Sequence, residues 1–102
     1  MLNHNDLKNL RARALENGWE PLEGAGNRAF IRRNGDRLEL RSYDTVVFSY
    51  NVATGELERH WSGYSVTTLR HVARFMAWLE CRPYRRNTTF GKANWEAMPV
   101  TA

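Results

Sequence analysis

Apolar positions in this chain recur with two different periods, and each change of period marks a change of element. Near the start, Leu7, Leu10, Ala14 and Leu15 fall on one stripe of a helix, while Lys8, Asn9, Arg13 and Glu16 lie off it. Asn5 or Asp6 can cap that helix, Asp6 suits the positive end of its dipole, and Gly18 after Asn17 suits the left-handed residue beyond its end. Trp19-Glu20-Pro21-Leu22 and a loose Gly24-Ala25-Gly26-Asn27 segment follow.

The period then falls to two. Arg28 to Arg33 and Arg37 to Tyr43 flank Asn34-Gly35-Asp36, where Asn-Gly predicts a hairpin closed by a type I′ turn. Leu38 and Leu40 alternate with Arg37, Glu39 and Arg41, so one face of this strand is polar. From Thr45 to Val52 the alternation places Val46, Phe48, Tyr50 and Val52 on one side, and Val47 and Ser49 on the other. Ala53-Thr54-Gly55-Glu56 makes the next turn. Leu57 to Tyr64 is the fourth strand, with Leu57, Arg59 and Trp61 opposite Glu58, His60 and Ser62. Connections this short imply an antiparallel meander.

Helical spacing returns over 65–82. Ser65 or Thr67 can cap it, and Leu69, Val72, Ala73, Met76 and Leu79 form its apolar stripe, widened by His71, Phe75 and Trp78. Arg70, Arg74 and Ala77 take the opposite side, and Arg82-Pro83 ends the helix because the residue before proline avoids helical angles. The segment 83–102 starts basic and polar, then carries Phe90, Trp95 and Met98, which implies that it packs back on the domain. The expected fold class is α+β: a two-layer sandwich in the order α-β-β-β-β-α. A four-stranded antiparallel meander sheet is flanked by an N-terminal and a C-terminal helix. The 102 residues fit a single domain, with its core over 5–82.

Composition narrows the function classes. No apolar run reaches the roughly 18 residues that span a bilayer, and the first residues lack the basic start and apolar stretch of a signal peptide. A single cysteine excludes an internal disulfide framework and argues against a cysteine-based zinc module. The length excludes a large dinucleotide-binding fold. Charge points the other way, towards a partner: 15 Lys+Arg against 11 Asp+Glu give a net +4, and thirteen of the fifteen are Arg. The excess is concentrated late. Arg70, Arg74, Arg82, Arg85, Arg86 and Lys92 face a single acid, Glu80, between residues 70 and 92. Such a segment fits an acidic partner, either nucleic acid or an acidic protein surface.

Tyr43-Asp44-Thr45-Val46-Val47 and Trp61-Ser62-Gly63-Tyr64-Ser65-Val66-Thr67-Thr68-Leu69-Arg70-His71, followed by Phe75, carry a resemblance. They resemble small phage- and plasmid-encoded proteins of unknown function that read Y-x-T-x-V, a glycine turn, then W-x-G-Y-S-x-T-T-x-x-H and a helix. The resemblance covers residues 43–79. It implies an accessory protein of a phage or mobile element, made in a bacterial cytoplasm, of a kind that modulates host machinery or host defence. It implies no catalytic residue.

Candidate chemistry concentrates at two places. At the strand-to-helix junction, Ser65, Thr67 and Thr68 with free backbone N–H groups could hold an anion, although helix capping alone accounts for all three. In the basic segment, Arg70, Arg74, Arg82, Arg85, Arg86 and Lys92, with Tyr84 among them, combine phosphate-binding forks with a ring for a base. A solvated basic face is the simpler alternative. A second strip, Arg32, Arg37 and Arg41, could line the open face of the sheet. His4, His60, His71 and Cys81 lack the spacing of a known zinc module, and His71 reads as a core-edge histidine bonded to backbone. Cys81 has no base and orienter beside it in sequence. These residues support a non-enzymatic protein, without cofactor, metal or membrane partner, that binds nucleic acid or a nucleoprotein complex. The alternative is an inhibitor of a host defence system or host enzyme, anti-CRISPR-like, acting by protein–protein contact.

Overall fold

The computed structural model describes residues 18–101; the N-terminal helix expected around Leu7–Leu15 lies outside them. Five strands form one antiparallel sheet in the order β1-β2-β3-β4-β5. They are β1 (Glu20–Pro21), β2 (Ala29–Asn34), β3 (Arg37–Ser42), β4 (Thr45–Asn51) and β5 (Leu57–Arg59). The expected four strands are all present, and β1 is an addition. It is two residues long and edge-placed, as Pro21 requires, since proline has no N–H to donate to a ladder.

Turn chemistry sets the registers. Asn34 pairs with Arg37, so Gly35 and Asp36 form the two-residue loop. Gly35 has φ +61 whereas Asp36 keeps a negative φ, so the turn has the glycine-first pattern of type II′ and not the expected type I′. Tyr43 at φ +54 plays the corresponding part between β3 and β4, at a conformation that a side chain disfavours. Asn51 closes the β4–β5 turn by accepting from the N–H groups of Ala53 and Thr54 through Oδ1 at 2.9 and 3.1 Å.

The alternation predicted for β4 is broken by a bulge. Leu40 pairs with Phe48 but Arg41 pairs with Val46, which leaves Val47 without a partner on β3. Two consecutive apolar residues, Val47 and Phe48, are both buried, and Val46 shifts to the side of Arg41. Perfect alternation requires one register throughout, and a bulge resets it.

β5 is shorter than the expected Leu57–Tyr64. It stops at Arg59 because the chain beyond it bonds to Arg59 itself. The guanidinium donates to the carbonyls of Trp61, Ser62 and Gly63, so these groups are not available to a neighbouring strand.

Helix α1 (Val66–Leu79) lies on the face of the sheet that carries Leu38 and Leu40. Ser65 is its N-cap, with Oγ accepting from the Thr68 N–H at 3.0 Å. Its C-terminus precedes the expected end at Arg82. Cys81 turns left-handed at φ +56, Arg82 N–H reaches the Ala77 carbonyl at 3.0 Å, and Cys81 N–H reaches that of Trp78 at 3.3 Å. These two bonds make a Schellman ending with cysteine at the position usually held by glycine. Leu69, Val72, Phe75 and Leu79 pack into one core with Ala29, Ile31, Leu38, Leu40 and Phe48.

Ala77, expected on the outer side of α1, is buried, and Met76 is only half-buried. Ala77 shares the wall of a cleft with Leu22 and Gly24, from the chain ahead of β2. The segment after α1 runs back so that Phe90 N–H bonds the Leu69 carbonyl at 3.0 Å, and it delivers a second helix, α2 (Lys92–Ala97). Trp95 of α2 is fully buried against Phe48 and Phe90.

Candidate functional site

Arginine is the commonest charged residue here, and its surroundings divide it into three groups. On the sheet face opposite α1, Arg32 pairs with Glu39 at 3.0 Å and Arg37 with Glu58 at 3.1 Å. The hydrogen bonds that Arg37 donates to Glu58 also raise the Arg37 pKa above its ordinary value, with the Glu58 charge adding to it. Arg41 is stacked between the rings of Trp19 and Phe30 at 4.8 and 4.6 Å. Its buried Nε has no hydrogen-bond partner among the described residues. This strip is separated from α1 by the sheet, so the two basic strips do not join.

Arg59 is the second kind. It is buried, stacks on Trp95 at 4.6 Å, and donates to five backbone carbonyls. Besides Trp61, Ser62 and Gly63, these are Trp95 at 2.8 Å and Met98 at 3.3 Å. It clamps α2 and the C-terminal residues to β5, where Val100 adds a parallel bridge to Arg59.

The third group is the basic segment. Arg70, Arg85 and Arg86 are exposed, and Arg74 is half-buried with its guanidinium over the Tyr84 ring at 4.1 Å. None of the four guanidinium groups has a hydrogen bond or a carboxylate partner among the described residues. Tyr84 is held by its own hydroxyl, which donates to the Thr88 carbonyl at 2.6 Å. Arg82 pairs with Glu80 through Nε at 2.6 Å. Lys92 is placed apart, over the Tyr64 ring at 4.8 Å and 3.8 Å from Glu96.

Arg74, Arg82 and Tyr84 converge on one cleft of about 410 Å³, with Gly24, Trp78 and Cys81 completing its wall. The Arg74 guanidinium lies directly against Gly24, at φ +83, where a Cβ would collide with it. Any other residue at 24 would therefore be strained and would displace Arg74. The cleft was not legible from the sequence, because Gly24 and Trp78 meet only through the tertiary fold. Arg28 was likewise missed: its charge reaches His71 together with that of Arg74.

The junction residues have other employment. Ser65 caps α1, and Thr68 is buried with Oγ1 3.3 Å from Ser42 Oγ. Thr67 is half-buried. Two of the three hydroxyls expected to hold an anion are thus committed to the fold. His71 is buried and bonded through Nδ1 to Ser42 Oγ at 2.7 Å, a side-chain partner where a backbone one was expected. Burial lowers its pKa, and the charges of Arg74 and Arg28 lower it further. His60 bonds Ser49 at 2.6 Å and the Thr101 carbonyl at 2.8 Å. Ser42 and Ser49 lie on opposite faces of the sheet, so the two histidines do not approach each other. Among the described residues no group of three His, Cys, Asp or Glu side chains is gathered as metal ligands require.

The geometry explains the residues from Trp61 to His71. Trp61 needs the space that Gly63 leaves, since a Cβ there would meet its indole. The Gly63 carbonyl accepts from Trp95 Nε1 at 2.9 Å, Ser65 caps, and Thr68 and His71 anchor α1 to Ser42. These residues build the scaffold, and the cleft lies outside them.

Fold and site together define a small α+β protein with an arginine-bearing cleft beside its main helix. Residues 16–92 match the family of unknown function DUF8033, and the chain belongs to that family. No curated protein and no solved structure matches it. Among the described residues no helix is long and apolar enough to cross a membrane.

Proposed function

We propose that this is a non-enzymatic accessory protein of a phage or mobile element that binds nucleic acid, or a nucleoprotein complex, through the α1 side of the molecule. The observation that carries this reading is the state of Arg70, Arg74, Arg85 and Arg86. Arg32 and Arg37 on the sheet face are neutralised by Glu39 and Glu58, whereas these four keep their charge and their N–H forks unspent among the described residues. Guanidinium forks match phosphate oxygens, and an aromatic partner such as Tyr84 presets the side chain for them.

A salt titration with a labelled oligonucleotide tests the reading. The Arg74→Ala, Arg85→Ala, Arg86→Ala triple variant weakens binding, and each lost phosphate contact lowers the salt slope by about 0.7–0.9. An unchanged slope removes the assignment. The rival reading, inhibition of a host defence system or host enzyme, draws on Tyr43, Tyr64 and Val66, which are 51%, 43% and 46% exposed. Large side chains of this kind are what a protein partner covers. A stoichiometric complex captured from a bacterial host and resistant to nuclease, with no oligonucleotide binding, selects it.

A further inference from the structure

Arg74 differs from the other unspent arginines in where it lies. Arg70, Arg85 and Arg86 are exposed, whereas Arg74 is half-buried in the cleft. Three chain segments wall that cleft: 22–24 ahead of β2, α1 itself, and 81–84 after it. We propose that the cleft seats the terminal phosphate of a nucleic-acid strand, a phosphomonoester held by Arg74. The proposal rests on the nucleic-acid reading and names the part of the strand that this site recognises.

The setting of Arg74 carries it. The guanidinium is seated over Tyr84 at 4.1 Å and against Gly24, where even a Cβ would collide with it. None of its N–H groups has a hydrogen-bond partner among the described residues. A fork fixed in this way loses little freedom on binding, and it matches two phosphate oxygens at once. The carbonyls at the end of α1 do not compete for it. Those of Met76, Ala77 and Trp78 already accept from the N–H groups of Glu80, Arg82 and Cys81. Arg82 also lines the cleft, and with Nε on Glu80 its terminal N–H groups have no partner among the described residues.

Access and charge select the end of the strand. An internal phosphate carries a sugar on both sides and enters a concave site only with both, whereas a terminal one enters with one. Above its second pKa of about 6 the terminal group also carries close to two charges, against one for an internal phosphate. Glu23 lines the cleft too, and its carboxylate repels any anion. The base stays outside, because the Trp78 indole is stacked on Phe75 and the Tyr84 ring is covered by Arg74.

The test is fluorescence anisotropy at about pH 8, with an internally labelled thymidine strand of about ten nucleotides. The strand ends in hydroxyls, in a 5′-phosphate or in a 3′-phosphate. The expected result is that a phosphate at one end tightens binding about tenfold, the gain of one charge-assisted hydrogen bond. Glu23→Gln widens that difference. Arg74→Gln abolishes it and leaves the hydroxyl-ended strand bound through Arg70, Arg85 and Arg86. Gly24→Ala abolishes it too, since it displaces Arg74 without removing a charge, and far-UV circular dichroism confirms that both variants are folded. His71 gives a second readout, because the Arg74 charge lowers its pKa. Saturation with the phosphorylated strand raises that pKa in an NMR titration, and the hydroxyl-ended strand raises it less.

Equal affinity for hydroxyl and phosphate ends overturns the proposal and leaves the nucleic-acid reading standing. A preference that survives in folded Arg74→Gln overturns it as well. So does a His71 pKa that the phosphorylated strand leaves unmoved, since the phosphate then lies elsewhere. Displacement by unlabelled thymidine monophosphate at the strand's own Kd assigns the cleft to free phosphomonoesters and overturns the strand assignment. Absence of binding to every strand overturns this proposal and the nucleic-acid reading together.

Discussion

Arg59 and Arg74 are both stacked on an aromatic ring, at 4.6 Å from Trp95 and 4.1 Å from Tyr84, and there the likeness ends. Arg59 is buried at the sheet edge with all three guanidinium nitrogens on backbone carbonyls. Arg74 sits at a cleft with none of them engaged among the described residues. A buried charge without a carboxylate is tolerable only when its N–H groups are fully hydrogen-bonded, so Arg59 belongs to the fold. A guanidinium that keeps its fork free contributes little to the fold and remains available to a ligand. The number of donors already satisfied separates the two, and neither residue type nor ring contact does.

The largest expected effect is at Arg59. Arg59→Leu withdraws a donor from five carbonyls, of which only Gly63 and Trp95 keep another, and releases α2, with a loss of about 3–5 kcal/mol of stability. That equals a core truncation such as Leu69→Ala or Leu79→Ala, about 2–5 kcal/mol. Arg74→Ala removes only an aromatic contact at a half-exposed site, about 1 kcal/mol or less. Chemical denaturation of the variants makes the comparison, and similar midpoints for Arg59→Leu and Arg74→Ala would break it.

His71 reports on the cleft from beneath. Its pKa lies below the ordinary 6.5 because burial, then Arg74, then Arg28 oppose its charge. The unfolded chain therefore binds a proton that the folded protein refuses. Stability is intact above pH 6.5, declines as the pH falls through that value, and levels off only below the folded pKa. If Arg74 is uncompensated as described, Arg74→Ala raises the His71 pKa in an NMR titration, so the decline keeps its onset but is smaller and levels off at a higher pH. An unmoved His71 titration would mean that the Arg74 charge is already neutralised.

Cys81→Gly has a small expected effect of the opposite sign. It relieves the left-handed residue that ends α1 and adds about 1 kcal/mol of thermal or denaturant stability. It also leaves the cleft charges in place, so oligonucleotide binding is expected to stay as it is. A change in affinity would show that the thiol takes part in the cleft.

Much of the fold was written in local patterns. Leu38 and Leu40 alternating with Arg37, Glu39 and Arg41 identified both faces of β3, and the stripe from Leu69 to Leu79 identified α1 and its buried side. Ser65 as cap was equally local. The departures have non-local causes. Val47 is buried beside Phe48 because a bulge between β3 and β4 shifts the register, and pairing is a property of two strands. β5 ends at Arg59 because that side chain takes the carbonyls a strand would use. Ala77 is buried on a side of α1 that Leu22 and Gly24, remote in sequence, share, and Trp95 lies in a six-residue helix too short to show a period.

The same division holds for the candidate site. The sequence determined that residues 70–92 hold six cations against one acid, with Tyr84 among them, since charge and composition need no coordinates. It equally determined the elements that carry them, because helical and strand periods are set by backbone geometry within a few residues. Only the tertiary structure decided which cations are spent. Glu39 and Glu58 reach Arg32 and Arg37 across strand pairings, Glu80 takes Arg82 at a helix end, and five carbonyls from 61 to 98 converge on Arg59. Arg74 was left its charge, with Tyr84 brought under it by the chain after α1 and Gly24 brought against it from ahead of β2. A partner's distance is set by packing, and packing joins residues that the linear pattern keeps apart.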